Sequence, residues 1–427
     1  MGRTTPALGT SGAGHDESED TTVSRSTKAL ALAAALALAL AGCANNDDGD
    51  NGDDNNNAAP ELEVQTAIDA PDDAVTPAGD GKAECPATTT LAYLGAETGP
   101  NAQLGINILN GVQLAINEHN EANPNCQVKL RKFDTEGDPN KATGPVTQAT
   151  NDENIIGVVG LPFSGESKAT GNIFEQAGLV HITPSATNPL LTTNGWTTFF
   201  RGLGNDNVQG PAVPVLAEKL GADKVYVVQD DSDYGIGLAT STTKALGDAL
   251  VGTDKVTTGQ KDFSATISKI LAAKPDAVFY SGYYAEAAPF NQQLVSKGYK
   301  GIFIGPDGVK DDQFVKQAGD ASSNAYFTCP CIPGELITSF ADAYKGVSKG
   351  VDPGTYSVEG YDATTVLLAG IDAGNTDRAK LKDWVKNYDA QGISKTFKWD
   401  ETGELTELPV YGYKVQDGKI VSVGVIE

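Results

Sequence analysis

An α/β fold with two doubly wound, parallel-sheet lobes is predicted by three features of this sequence. Short apolar, β-branched runs alternate with longer helical patterns. The alternation comes as two series, separated near Gly202 to Asn207. The body from residue 85 onward holds 343 residues, more than one hydrophobic core usually serves. In the first series, strands are expected at Thr89 to Leu94, Val128 to Phe133, Ile155 to Val159 and Val180 to Thr183. Helices are expected between them at Leu104 to Ile116, Ala142 to Thr150 and Lys168 to Ala177. The second series has strands at Val225 to Val228, Ala277 to Tyr280 and Ile302 to Ile304, with helices at Gly237 to Leu250 and Ala285 to Lys297. Ligands of open α/β sheets sit beyond the carboxyl ends of the strands, so two facing lobes imply a cleft.

The segment ahead of this body carries an address. The apolar run Ala29 to Gly42, 14 residues preceded by Arg25 and Lys28, has the charged start and short apolar stretch of a signal peptide; it is too short for a bilayer core of roughly 30 Å. Leu40-Ala41-Gly42-Cys43 resembles the lipobox of bacterial lipoproteins, which implies a mature chain beginning at a lipidated Cys43 and anchored by several acyl chains. Residues 1–22 are polar and acidic where a short basic region is expected, which points to a later start, at Val23. Residues 43–84 carry twelve acids against one lysine and few apolar side chains, and are expected to form a disordered tether. The net charge of −25 is shared by tether and body, and argues against nucleic acid and against a polybasic membrane contact.

Without Cys43, four cysteines remain, an even number in an exported chain. Cys85 and Cys126 each precede an expected strand, and the first two strands of a doubly wound sheet are neighbours, so a bridge between them is expected. For Cys329-Pro330-Cys331 a local disulfide is expected, with free thiols as the alternative. A metal site would need more ligands than three histidines supply, and a thioredoxin-like site needs two residues between the thiols. No metal or cofactor is expected.

Enzyme motifs do not find their context. Gly346-Val347-Ser348-Lys349-Gly350 matches the nucleophile-elbow pattern but ends a helical stretch instead of joining strand to helix. Gly235-Ile236-Gly237 lacks the third glycine of a dinucleotide loop. His119 and His181 have no nucleophile beside them in the pattern. A non-enzymatic protein is expected.

The loops at strand ends are more informative. Phe163-Ser164-Gly165-Glu166-Ser167 and Thr183-Pro184-Ser185-Ala186-Thr187-Asn188-Pro189 are rich in hydroxyls, and the first opens a helix, where an anion is favoured. From the second series come Tyr280-Ser281-Gly282-Tyr283-Tyr284 and Gly305-Pro306-Asp307-Gly308, which offer tyrosines and a carboxylate. Together they suit a zwitterion. Taken singly, such loops are caps and turns.

Their order carries more weight than any one of them. Thr98-Gly99-Pro100, Asp138-Pro139, Ile182-Thr183-Pro184-Ser185-Ala186-Thr187, Gln209-Gly210-Pro211, Asp233-Tyr234-Gly235-Ile236-Gly237, Lys261-Asp262-Phe263-Ser264, Gly282-Tyr283, Gly305-Pro306-Asp307-Gly308 and Gly360-Tyr361-Asp362-Ala363 follow one another. In this the sequence closely resembles the type I periplasmic solute-binding proteins of ABC importers, of the leucine/isoleucine/valine-binding kind, over most of residues 88–415. The resemblance implies three hinge crossovers, near Leu203 to Asn205, Thr328 to Cys331 and Leu405 to Leu408. It divides the chain into a first lobe of 88–203 with 331–406 and a second of 204–329 with 407–427. It also implies that Ser164 and the backbone at Ser185 and Thr187 hold the ligand's α-carboxylate. Tyr234 and Tyr283 would close from the second lobe, and Asp307 would pair with the α-ammonium. Leu104 and Tyr356 would line the side-chain end, with Phe163 a weaker candidate.

This sequence departs from the family's pattern where Asp307 replaces a common glutamate, Leu104 an aromatic, and Gly137 and Phe163 a cysteine pair. The expected activity is capture of an amino acid, aliphatic or branched, by a monomer that hands it to an ABC permease. Binders of urea, short amides or aromatic acids are the alternative within the fold. A ligand-sensing domain is a further one, less expected because no signalling segment follows in the sequence.

Overall fold

The computed structural model describes residues 62–406 and 408–426, so the expected signal peptide, Cys43 and the first part of the expected tether lie outside the described residues. Five parallel strands, β1 (Thr90–Gly95), β2 (Lys129–Asp134), β3 (Ile155–Gly160), β4 (Val180–Thr183) and β5 (Phe199–Arg201), form the first sheet in the order β2-β1-β3-β4-β5. The helices α1 (Ala102–Ala122), α2 (Pro139–Thr150) and α3 (Ser164–Ala177) connect them. Strands β1, β3 and β4 are buried at every position, as strands covered on both faces must be.

The second lobe begins with α4 (Asp206–Lys219) and runs through β6 (Val225–Gln229), α5 (Asp233–Leu246), β7 (Leu250–Lys255), α6 (Ser264–Ala273), β8 (Ala277–Ser281), α7 (Tyr284–Ser296), β9 (Ile302–Gly305), α8 (Asp312–Ala318) and β10 (Ala325–Cys329). The chain then returns to the first lobe as α9 (Thr338–Val347), α10 (Ser357–Asp372), α11 (Arg378–Lys386) and the small hairpin β11 (Asp389–Gln391) with β12 (Thr396–Lys398). It ends in β13 (Tyr411–Gln416) and β14 (Lys419–Val425) on the second sheet, whose order is β14-β13-β10-β9-β8-β6-β7. The sheet is parallel from β7 to β10, while β13 and β14 pair antiparallel at its edge. The expected helix Gly237 to Leu250 is cut short: Gly247 takes a φ of 51°, and the chain turns into the edge strand β7 with alternating exposure.

Helix α1 packs on α10 in the first lobe. Their backbones meet where a side chain would not fit: a Cβ on Gly111 would lie 2.0 Å from Ser357 O, and one on Gly360 would lie 2.7 Å from Ile108 O. The chain passes between lobes at three places that touch one another. A Cβ on Gly204 would sit 3.2 Å from Pro330 and 3.6 Å from Leu408, one residue from each crossover. Among the described residues, no helix is long and apolar enough to cross a membrane.

The tether expectation needs correction for residues 62–84, which are laid on the body. Lys414 Nζ donates to Leu62 O at 2.8 Å and Gln65 N to Ser422 O at 2.8 Å, both on the second lobe. Further on, Ile68 N donates to Leu336 O at 3.0 Å, Val75 N to Gln391 O at 2.8 Å, and Asn123 Nδ2 to Ala78 O at 3.0 Å, all on the first. Ile68, Ala70 and Ala74 pack against the core. The acid count outweighed these few apolar residues in the sequence, but backbone hydrogen bonds to an existing body need no apolar run of their own.

Cys85 and Cys126 are bonded, with Cα atoms 4.7 Å apart, where the arm meets the first sheet. Cys329 and Cys331 are bonded across the crossover that leaves β10. Replacing Cys85 and Cys126 together by serine is expected to lower the unfolding free energy by about 2–4 kcal/mol. Urea denaturation of the variant against the wild type measures this, and peptide mapping without reductant checks the pairing.

Candidate functional site

Loops from the carboxyl ends of both sheets converge on one small, tightly closed space. It is lined by Leu104, Pro162, Phe163, Ser164, Ser185, Tyr234, Tyr283, Asp307 and Tyr356. Of the nine residues given a role in the sequence, eight line this space; the ninth, Thr187, is buried and not part of the lining. Phe163 stands among them, its ring 5.2 Å from that of Tyr283 across the cleft, and Pro162 is an addition. The ring of Phe163 covers Gly137, 3.2 Å from where a Cβ would be, so the two positions that depart from the family's cysteine pair are in contact.

Ser164 opens α3, and its Oγ accepts from Asn188 N at 3.2 Å, which ties the two hydroxyl-rich loops together. Ser185 spends its hydroxyl on Pro162 O at 2.9 Å, and its backbone N–H makes a long contact of 3.4 Å with Thr183 Oγ1. Thr183 supports the turn, donating to Leu161 O and accepting from Ala186 N at 3.0 Å.

From the second lobe, Tyr234 donates its phenol to Asp307 Oδ1 at 2.5 Å and accepts from Gly308 N at 3.2 Å. The phenol of Tyr356, from the first lobe, donates to Asp307 Oδ2, so one carboxylate is gripped from both sides of the cleft. Tyr356 holds a φ of 68°, a left-handed conformation costly for a bulky residue and found where function demands a particular direction. Burial raises the pKa of Asp307, against the lowering effect of the two phenols. Burial likewise pushes Glu166, in the first turn of α3, up to about 8.

The cleft's lips also meet. Lys168 Nζ lies 2.6 Å from Asp233 Oδ1, and Asn188 Nδ2 donates to Asp233 O at 2.7 Å. On the other side, Gln103 N donates to Tyr284 Oη at 3.2 Å and Asn107 Nδ2 to Asp311 Oδ2 at 3.2 Å.

Arg201 was not singled out in the sequence, yet it positions the first lobe's half of the site. It is fully buried at the end of β5, donates to the carbonyls of Ala186 and Asn188, and forms a two-pronged pair with Glu404 at 2.9 Å. The signal was present: a lone cation closing the apolar run Phe199-Phe200-Arg201 is a charge that must find partners inside.

Chemistry of other kinds lacks its constellation among the described residues. His119, Cys126 and Asp372 approach within 4.8 Å, but the sulfur of Cys126 is used in its disulfide and His119 Nε2 is bonded to Asp372 at 2.7 Å. His181 is stacked on Phe174 at 4.1 Å, and burial lowers its pKa to about 3, which makes it a neutral core residue. Ser348 caps α9 and donates to Val351 O, as a helix terminus does.

A model of the periplasmic binding proteins matches residues 88–419. The chain belongs to the periplasmic binding protein family. This family is a class of extracytoplasmic solute-binding proteins. A leucine-, isoleucine-, valine-, threonine- and alanine-binding protein of Pseudomonas aeruginosa is 32% identical over 337 residues, covering 77% of this chain and 90% of its own. The Leu/Ile/Val-binding protein of Escherichia coli K12 is 31% identical over 324 residues, covering 74% and 87%. Among solved structures, the branched-chain amino acid transporter substrate-binding protein of Streptococcus pneumoniae in complex with isoleucine has a TM-score of 0.72 at 27% identity, covering 78% of this chain and 97% of its own. A benzoate complex from Rhodopseudomonas palustris, at 21% identity and a TM-score of 0.70, shares the fold alone.

Removing the partner of a buried charge leaves it uncompensated. Glu404→Ala is therefore expected to lower the unfolding free energy of this binding protein by about 3–5 kcal/mol, read from its urea denaturation midpoint. A loss under about 1 kcal/mol would mean that Arg201 is not held by this pair.

Proposed function

We propose that this chain is the substrate-binding component of an ABC importer. In this reading it captures an aliphatic or branched-chain amino acid between its lobes, is anchored by lipid at Cys43, works as a monomer and hands its ligand to the permease. The observation that carries the reading is the polarity of the cleft. Ser164 and the loop of Ser185 to Thr187 stand on one lobe, Asp307 with Tyr234 and Tyr283 on the other, and Leu104, Phe163 and Tyr356 stand between them. A zwitterion leaving water needs donors at one end and an anion at the other, and its aliphatic side chain gains by contact with apolar walls. The relatives that bind branched-chain amino acids support the same ligand class.

The mechanism follows from where the groups stand. The carboxylate would be held by Ser164 Oγ and by the backbone at Ser185 and Thr187, a loop kept in register by Arg201. The ammonium would be taken by Asp307, whose charge Tyr234 and Tyr356 already stabilise. Only closed lobes satisfy both ends, so the ligand favours closure through its differential affinity for that state. The lip contacts of Lys168 with Asp233 and of Asn107 with Asp311 form in the same movement. No step requires a nucleophile, so the protein acts by binding alone.

Calorimetry tests the ligand class and Asp307 together. The wild type is titrated with leucine, isoleucine, valine and alanine, and with a short amide and benzoate as rivals. Asp307→Asn is expected to weaken amino-acid binding by at least about 30-fold, since truncating one partner of a desolvated pair costs about 2–5 kcal/mol. A change below about threefold, or tighter binding of the amide, would replace the ammonium assignment with the uncharged reading. Cys43→Ala is expected to release the protein from membranes or to leave an unprocessed precursor. Fractionation checks this, and a correctly cleaved, membrane-bound variant would refute the anchor.

A further inference from the structure

The arm of residues 62–84 precedes the family-matched residues and is attached unequally to the two lobes. On the first lobe it is fastened along most of its length. Ile68 N donates to Leu336 O at 3.0 Å, Val75 N to Gln391 O at 2.8 Å and Ala83 N to Asn123 Oδ1 at 3.1 Å. Pro77 and Ala83 are buried, and the Cys85–Cys126 bond closes this attachment covalently. On the second lobe the arm has a single foot. Lys414 Nζ donates to Leu62 O and Gln65 N to Ser422 O, each at 2.8 Å, while Ser422 Oγ donates to Gln65 Oε1 at 2.9 Å. Leu62 packs against the apolar cluster that contains Ile304, and the buried ammonium of Lys414 needs the acceptor that Leu62 O supplies.

Between the two attachments stand Thr66 and Ala67 alone, both exposed. The three Cα steps from Gln65 to Ile68 span at most about 11 Å. The arm therefore holds both lobes only while Ser422, on β14, and Leu336, just past the second crossover, stay within that reach. In the structure they do, and the lips of the cleft meet in the same state, Lys168 with Asp233 and Asn107 with Asp311. A contact made to both lobes in one arrangement favours that arrangement over any in which it breaks.

We propose that residues 62–68 are a fourth, detachable link between the lobes, a strap whose foot at Leu62 to Gln65 docks on the second lobe as the cleft closes. The strap rests on the hinge closure proposed above and on no particular ligand. The three crossovers set the axis of closure, and the strap sets how strongly the closed arrangement is favoured before a ligand arrives. Linkage makes the effect reciprocal: the factor by which a docked foot tightens ligand binding is the factor by which ligand tightens docking of the foot. An arm in this place could instead serve only to cover the edge strand β14, whose unpaired backbone groups invite pairing with other chains. A cover needs the foot but not the short span.

The experiment separates the two by lengthening the span and keeping the foot. Gly-Ser-Gly-Ser-Gly-Ser is inserted between Thr66 and Ala67 of the full chain, produced unlipidated. A second variant, Leu62→Ser with Gln65→Pro, removes the foot and keeps the span. Small-angle scattering without ligand and calorimetric titration with leucine are read on both, with thermal unfolding as the check on folding. Both variants are expected to show a larger ligand-free radius of gyration than the wild type, the same radius at saturating leucine, and about three- to tenfold weaker leucine binding. In the wild type, leucine is expected to slow hydrogen exchange of the Gln65 amide by a factor of the same size. An insertion variant that matches the wild type in ligand-free radius and in leucine affinity would overturn the strap, whatever the other variant does, and leave the arm a cover for β14. Should the insertion not fold, the Gln65 amide decides, and exchange that leucine leaves unchanged would overturn the strap. A wild type that binds no amino acid would remove the amino-acid reading alone, because the ligand-free radii still decide the strap.

Discussion

The first lobe's half of the cleft hangs on one buried cation. Arg201 carries a full charge into the interior, and its guanidinium answers to two elements at once: the carboxylate of Glu404, and the carbonyls of Ala186 and Asn188. A guanidinium's planar fork fixes direction as well as distance, so the loop that bears Ser185 and Thr187 is held with its carbonyls pointing back and its other face toward the ligand. Glu404 sits just ahead of the third crossover, and Arg201 just ahead of the first. The loop that would hold the carboxylate is thus braced against the hinge.

A second buried pair completes the brace. Lys395 Nζ lies 3.2 Å from Glu359 Oε1 and donates to Gly202 O at 3.3 Å, while Ile332 N donates to the same Glu359 oxygen at 3.0 Å. Two crossovers are therefore joined through one ion pair, and Tyr413 adds a hydrogen bond to Cys331 O at 2.8 Å from the far side. Buried pairs of this kind contribute little net stability over an apolar core, but they specify geometry, because a misplaced charge is left unpaired. A hinge needs that property: it can turn while its three strands keep their relative places.

Ahead of the family's matched region, the arm of residues 62–84 touches the second lobe at Leu62 and Gln65 and the first from Ile68 onward. It runs over the two lobes on a path separate from the three crossovers, and the Cys85–Cys126 bond fastens its end to the first sheet.

Much of the strand and helix order, the cleft and the polar loops at its strand ends were legible in the sequence, because each depends on local pattern; β5, β7 and β10 were not, and Leu104 and Tyr356 came only with the family resemblance. Apolar β-branched runs make covered strands, and Ser, Tyr and Asp at strand ends must face the space beyond a parallel sheet. Asp307, Tyr283 and Ser164 could be named on that basis. What the sequence left hidden was decided by packing between distant segments. Arg201, Glu166 and Asp206 look like ordinary polar residues at strand and helix ends, and only the tertiary structure buries them. The grip of Tyr356 on Asp307 joins residues 49 positions apart, and Arg201 with Glu404 joins residues 203 apart. The docking of residues 62–84 and the antiparallel β13–β14 edge belong to the same group. Burial and through-space charge set a carboxyl's protonation, and neither has a period that a sequence can display.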